Sequence, residues 1–312
     1  MPLAAHAAPV DDLRARLEAL AAPARGTVGV AAWHVESGRR LFLRGTERFP
    51  MASVYKLPVA LTFLRLVDRG ELSLEDSVEV TPRAWRPGRM MLSSRLGEGP
   101  IRVSWLELLR LAIAESDNAA ADFLMTRAGG PEAVTRRMRE LGIGGVSVNR
   151  SEGTIALESY GFDPVPLEET WSAELFEGAA RRVTRAQERH ANDRYDQDVR
   201  DTSSPAAAAR MLLALERRRA LSDSSTAVLL RIMTKGRVGK HRIRGLLPKG
   251  TPVADKTGTN GRTTNDVGLV TLPEGRGHLA IAVFVKGSRV PVPAREKVIA
   301  RVARELFDAF CR

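Results

Sequence analysis

The sequence predicts an α/β protein of the segregated, α+β kind. A five-stranded antiparallel sheet is assembled from both ends of the chain, terminal helices flank it, and an all-helical region is inserted between its halves. Three observations predict this. β-rich runs occur only near the two ends, over 27–43 and 253–286. The residues between them run in helical period, and no strand alternates with single helices, which excludes a doubly wound parallel sheet. Each β-rich group contains two runs joined by a short polar turn, the mark of antiparallel hairpins. The expected division is a split sheet domain, 1–52 with 249–312, and a helical domain, 53–248, that includes an extended loop region over 150–201.

The elements follow in order. Over 11–21, Leu13, Leu17 and Leu20 repeat at helical spacing, and Pro23 and Gly26 stop the helix. A strand over 27–35 and a second over 40–43 are joined by Glu36-Ser37-Gly38-Arg39. From Ser53 the pattern turns helical, with segments over 54–67, 103–114, 118–128, 131–141 and 205–218. Ser204 is a natural N-cap for the last, with Pro205 at its first position. The stretch 76–102 reads as connection, broken by Pro82, Pro87, Gly88, Gly97, Gly99 and Pro100. Strands return at 253–257, 266–272 and 278–286, the last two joined by Pro273-Glu274-Gly275-Arg276-Gly277, and an amphipathic helix over 294–310 closes the chain.

Composition narrows the function. The net charge of +11 would suit an anionic partner, but aromatics are 5 % and there is neither zinc-finger spacing nor a Gly-rich phosphate loop, so no nucleic acid is expected. No apolar run reaches 18 residues, so no membrane span is expected. The single Cys311 makes no internal disulfide, and five scattered histidines have no ligand spacing, so no metal is expected. At the N-terminus Ala5-His6-Ala7 is similar to the small-residue end of a signal peptide whose charged and apolar parts are missing, which leaves an exported protein with a truncated signal or a cytosolic one; the function read below favours a periplasmic or secreted protein, and a monomer is expected.

The chemistry lies in three short motifs. In Ser53-Val54-Tyr55-Lys56, Ser53 starts a helix, near free backbone N–H groups and the positive end of the dipole, with Lys56 one turn on. A desolvated lysine there can take the hydroxyl proton. The same four residues also read as an N-cap and a surface lysine, and a chain of this length has about one S-x-x-K by accident. Ser116-Asp117-Asn118 lies between two helical runs; its hydroxyl can relay a proton and its amide can hold a substrate amide, or the triplet simply caps the next helix. Lys256-Thr257-Gly258-Thr259 ends a predicted strand, where backbone groups and a positive charge meet an extended substrate, or where the strand merely turns.

In this order the three motifs are the set found in class A β-lactamases and penicillin-binding proteins, and the chain resembles the class A serine β-lactamases from Asp11 to Phe310. Further runs fit: Asp117-Asn118-Ala119-Ala120-Ala121 before Gly129-Gly130-Pro131, Arg200-Asp201-Thr202 before Ser204-Pro205, and Thr263-Thr264-Asn265-Asp266 after K-T-G. The resemblance implies Ser53 as nucleophile and Lys56 as its partner. It implies an oxyanion hole from the N–H groups of Ser53 and Thr259, and Ser116 as proton relay. Lys256 and Thr257 would bind the substrate carboxylate and Asn118 the side-chain amide, with Gly258 and Thr259 also in the substrate-binding set. Gly239-Lys240-His241-Arg242-Ile243-Arg244 is similar to the family segment whose arginine helps hold that carboxylate, which points to Arg242, with a structural ion pair as the alternative reading.

The chain departs from the family at its omega loop, where no E-x-E-L-N run is intact. Two glutamates compete as the base for deacylation. Glu152 keeps the R-x-E pattern of Arg150-Ser151-Glu152, and Arg150 can pair with Asp201 across the loop neck. Glu188 keeps the spacing to Asn192 and to Arg200-Asp201. Glu152 is favoured, which makes 153–199 an insertion with an aromatic, proline-rich piece (Tyr160, Phe162, Pro164, Pro166) and an amphipathic helix over 167–189, either a packed surface subdomain or a lid. Gly153 stands where proline often follows the glutamate, and Trp85, Met90 and Met91 do not supply the family's aromatic contact plainly. The expected partner is a small β-lactam or a wall peptide. The expected function is β-lactam hydrolysis through an acyl-enzyme; the rivals are a D,D-peptidase or ester hydrolase and a penicillin-binding trap that deacylates poorly.

Overall fold

The computed structural model describes residues 10–88, 91–95 and 99–311; the signal-like Ala5-His6-Ala7 and Met90 lie outside the described residues. The described part opens with α1 (Val10–Ala21), followed by β1 (Thr27–His34), β2 (Arg40–Leu43) and a short β3 (Phe49–Pro50). The inserted part holds α2 (Lys56–Asp68), β4 (Ser77–Val80), β5 (Ile101–Ser104), α3 (Trp105–Arg110), α4 (Asn118–Arg127) and α5 (Gly130–Glu140). It continues with α6 (Glu152–Ser159), α7 (Ala173–Ala180), α8 (Arg185–Gln197), β6 (Thr202–Ser203), α9 (Pro205–Glu216) and α10 (Asp223–Thr234). The C-terminal part is β7 (Val253–Asn260), β8 (Thr263–Thr271), β9 (His278–Lys286) and α11 (Val292–Phe310).

The predicted five-stranded sheet is present, in the order β2-β1-β9-β8-β7 with every pairing antiparallel. Its central contact joins the two chain ends, Thr27 opposite Lys286 through His34 opposite Leu279. Because side chains alternate along a strand, β1 serves two cores. Val28, Val30 and Ala32 face α1 and α11, packing with Leu13, Leu17, Val302 and Leu306. Ala31 faces the helical side, where Phe284 and Val267 join Ala207, Ala208 and Met211 of α9 and the apolar face of α2.

Several boundaries correct the sequence reading. The stretch 76–102 is not only connection: β4 and β5 pair within it, Val78 opposite Val103. The helix expected over 103–114 therefore starts at Trp105 and ends in a π-helical turn, Leu111–Glu115. The helix expected over 167–189 is two, α7 and α8, each with its own N-cap, Ser172 and Thr184. Strand β7 runs on through Asn260 and β8 begins at Thr263, so the K-T-G-T motif lies inside a strand rather than at its end. Thr263, Thr264, Asn265 and Asp266 are polar yet buried, which hides this stretch from a hydropathy pattern.

Candidate active site

Ser53 sits in a single 3-10 turn, Ala52–Tyr55, that leads directly into α2. The turn begins from a left-handed backbone at Ala52 (φ 44°), a conformation that costs a non-glycine residue about 1–3 kcal/mol and persists only where its surroundings impose it. They do. The N–H of Met51 donates to the carbonyl of Asp201 at 3.0 Å. Asn265 Nδ2 donates to the carbonyls of Pro50 (2.8 Å) and Met51 (2.9 Å). From the other side β7 comes so close that a Cβ on Gly258 would lie 2.6 Å from the Met51 carbonyl oxygen and 3.0 Å from the Ser53 nitrogen. Both obstacles are backbone. Gly258→Ala should therefore push β7 off the Ser53 turn and lower kcat/KM about 10²–10³-fold, the usual effect of losing an oxyanion donor. Steady-state kinetics with circular dichroism checks this; activity near wild type would contradict it.

Lys56 follows Ser53 by one turn and is 1 % exposed. Its Nζ donates to the Ser116 carbonyl (2.8 Å) and to Asn118 Oδ1 (2.7 Å), reaches Ser116 Oγ at 3.5 Å, and stands 3.8 Å from Glu152 Oε1. The π-helical turn before Ser116, a widening common at functional sites, ends in a left-handed residue (φ 60°) that turns the triplet toward Lys56. Asp117 caps α4 through the Ala120 N–H (2.8 Å) and also accepts the Leu92 N–H (2.7 Å), so the capping reading and the site reading of this triplet are both present.

Lys256, equally buried, donates to Ser116 Oγ at 3.0 Å and to the Thr257 carbonyl at 2.9 Å. Ser116 thus lies between two lysines. Burial, followed by repulsion from Lys56, holds the Lys256 amine well below its usual pKa. Glu152, 9 % exposed, is shifted the other way: burial raises its carboxyl above the usual range, and Lys56 offsets part of the rise.

Glu152 is positioned by groups the motif reading did not single out. The α4 residue Asp122 accepts the N–H of Glu152 (2.7 Å) and of Gly153 (3.2 Å), and is itself held by Arg86 Nε at 2.8 Å. A carboxylate at the first amides of α6 also satisfies that helix's positive end. A Cβ on Gly153 would fall 2.2 Å from the Trp171 ring and 2.6 Å from Arg86, which explains why neither proline nor any larger residue follows the glutamate here. The only sequence hint to Asp122 was its place on the α4 face that carries Asn118, one helical turn back.

Arg150 and Asp201 are brought together. Arg150 Nε binds Asp201 Oδ2 at 2.6 Å, and Arg150 also pairs with Glu158 and, at 3.1 Å, with Asp198. Glu188 lies elsewhere, exposed in the first turn of α8. Arg242 is not poised toward the pocket: 3 % exposed, it donates to the carbonyls of Gly258 (3.0 Å) and Asn265 (2.8 Å) and to Thr259 Oγ1, and pairs with Glu296 at 3.1 Å. Buried carbonyls of two strands and a carboxylate hold its guanidinium, so it braces the rim. Asn118 is likewise engaged, with Nδ2 donating to the Pro87 carbonyl at 2.6 Å.

Ser53 opens onto two adjoining hollows of about 180 and 190 Å³, both of which also touch Gly88, Asn118, Glu152 and Thr259. One continues along Ile155, Ala156, Ser159 and Tyr160. The other continues along Ser116, Val238, Thr257 and Gly258. Among the described residues, no group of three His, Cys, Asp or Glu side chains could hold a metal ion, and no helix is long and apolar enough to cross a membrane.

Comparison with known proteins adds the following. The family model described as "Beta-lactamase enzyme family" matches residues 12–310. The extended-spectrum beta-lactamase PER-1 of Pseudomonas aeruginosa is 31 % identical over 307 residues, 95 % of this chain and 86 % of PER-1. Beta-lactamase VEB-1 of the same organism is 26 % identical over 311 residues, 97 % and 92 % of the two chains. Among solved structures, a beta-lactamase from Chitinophaga pinensis is similar with a TM-score of 0.79 and 32 % identity, over 96 % of this chain and 99 % of that one.

Proposed function

Because the chain belongs to the beta-lactamase enzyme family, as a class A hydrolase of β-lactams, we propose that it works through an acyl-enzyme on Ser53 released by water activated at Glu152. The observation that carries this assignment is the convergence of Lys56, Ser116, Lys256 and Glu152 on the hollow in front of Ser53.

Ser53 Oγ attacks the ring carbonyl, and its proton passes to Lys56, or through water to Glu152. The N–H groups of Ser53 and Thr259 hold the oxyanion. Ser116, hydrogen-bonded to Lys256, hands a proton to the ring nitrogen as the C–N bond breaks. Water loses a proton to Glu152, attacks the ester, and Ser53 regains its proton as the open acid leaves. The substrate carboxylate lies against Lys256, Thr257 and Thr259, with Arg242 adding positive charge from behind the strand. The acyl amide faces Asn118. Wall-directed β-lactams act outside the cytoplasmic membrane, so the working location proposed is periplasmic or extracellular, which fractionation of the native host would test.

A chromogenic cephalosporin mixed with the purified protein, followed by absorbance and by intact mass, tests the reading. Steady turnover is expected. A single stoichiometric burst with a lasting mass gain would favour the penicillin-binding trap instead. The pH profile carries a second expectation. A base whose pKa is raised loses activity as pH falls through that pKa, so the acid limb should lie above the ordinary carboxylate value of about 4.3. A lysine whose pKa is lowered loses its charge as pH rises, so the alkaline limb should lie below about 10.4, and Lys256→Arg should move that limb upward. Limbs at the unperturbed values would contradict both assignments.

A further inference from the structure

We infer that Tyr160, fixed from behind by Phe176 of the insertion, is the platform on which the substrate's acyl side chain lies, and that it selects aromatic side chains. The inference rests on the acyl-enzyme reading above and deepens it. The two hollows that meet at Ser53 differ in what stands behind them. The one lined by Ser116, Thr257 and Gly258 lies over Lys256, which donates to Ser116 Oγ and the Thr257 carbonyl, so it takes the carboxylate end of the ring system. The acylamino group on the other side of the reacting carbonyl must then enter the second hollow. Its wall past Asn118 and Glu152 is Ile155, Ala156 and Tyr160, with Ser159 between.

Tyr160 ends α6 and is 43 % exposed, which would ordinarily leave an aromatic ring mobile. Here the ring is held. Phe176 meets it edge-on, centroids 4.6 Å apart at 86°. Phe176 also packs on Trp85, 5.7 Å away at 50°. Trp85 leads into Pro87 and Gly88, which line the same hollow, and the Pro87 carbonyl orients Asn118. A row of three rings therefore ties the inserted helix α7 to both walls of the side-chain hollow. An exposed ring that is already immobilised loses little entropy when a flat ligand ring stacks on it. Aromatic pairs gain beyond simple burial, by an amount corresponding to about two- to tenfold in affinity. The aromatic contact that neither Trp85 nor Met91 offers directly is thus supplied from the omega-loop side, with Trp85 acting through Phe176.

The test compares benzylpenicillin with the penicillin bearing an acetamido side chain, which shares the nucleus and the amide and lacks the ring. Full-length wild type, Tyr160→Ala, Phe176→Ala and Phe176→Tyr are assayed for kcat and KM, with folding checked by circular dichroism. Tyr160→Ala should lower the benzyl-to-acetamido ratio of kcat/KM about three- to tenfold, mainly through KM for the benzyl substrate. Phe176→Ala should lower it by a smaller factor, and Phe176→Tyr, which keeps the edge contact, should restore it. An unchanged ratio in Tyr160→Ala, or equal losses on both substrates, overturns the platform. Wild type that hydrolyses neither substrate overturns the β-lactamase reading itself, a distinct outcome.

Discussion

Protein carrying Glu152→Ala should gain the mass of one opened β-lactam on mixing and then keep it. Acylation needs Ser53, a base for its proton, the oxyanion donors and Ser116, and with Glu152 gone Lys56 remains to take that proton. Deacylation needs a base next to the ester, and the loss of a positioned general base costs about 10²–10⁴-fold. Glu152 is the carboxylate at that place, 3.8 Å from Lys56 and facing both hollows, whereas Glu188 is exposed on α8. Glu188→Ala should therefore turn over like wild type. A trapped acyl-enzyme in Glu188→Ala, with none in Glu152→Ala, would reverse the assignment. The isosteric Glu152→Gln adds a stability readout. Burial raises the folded-state pKa, so the ionised form costs the folded protein stability at every pH above that pKa, and the cost disappears once both states are protonated. Glu152→Gln should melt above wild type at pH 7, and the gap should close as pH falls below about 4.

The second large effect is at Ser53. Ser53→Ala keeps the backbone N–H in the oxyanion hole and removes only the nucleophile, so kcat should fall by about 10⁶, the scale seen when a serine hydrolase loses its nucleophile. No mass adduct should form with any β-lactam. Binding should survive, because Lys256, Thr257 and Asn118 remain: excess substrate should still raise Tm by simple linkage. Turnover above one hundredth of wild type would mean that Ser53 is not the group acylated.

The Ser53–Lys56 pair alone was no better than a chance S-x-x-K; it was legible only through its order with Ser116-Asp117-Asn118 and Lys256-Thr257-Gly258, each of which constrains residue type over a few positions. The two sheet hairpins were legible for a similar reason, since turn residues and alternation are local. The β4–β5 pair was not, because its partners, Val78 and Val103, are separated by a run of prolines and glycines that reads as loop. Strand β8 starts three residues earlier than its hydropathy implies: Asn265 and Asp266 are buried there because the carbonyls of Pro50 and Met51 and the N–H of Ile243 meet them. Partners of that kind are invisible along the chain.

Arg242 marks the same divide within the site. Its type and position suited a substrate anion, yet carbonyls of two strands and Glu296 take up its guanidinium. Asp122 is the reverse, an unremarked helix residue that holds the amides of Glu152 and Gly153. By itself the sequence determined the sheet, the flanking helices and the three motifs proposed to react, because each depends on period, turn chemistry and short spacing. Only the tertiary structure decided which glutamate meets Lys56, which arginine is walled in and which aromatic ring lines the mouth. Those follow from burial and from which distant backbone groups remain to be hydrogen-bonded, and neither is fixed until the sheet, the helices and the insertion are packed together.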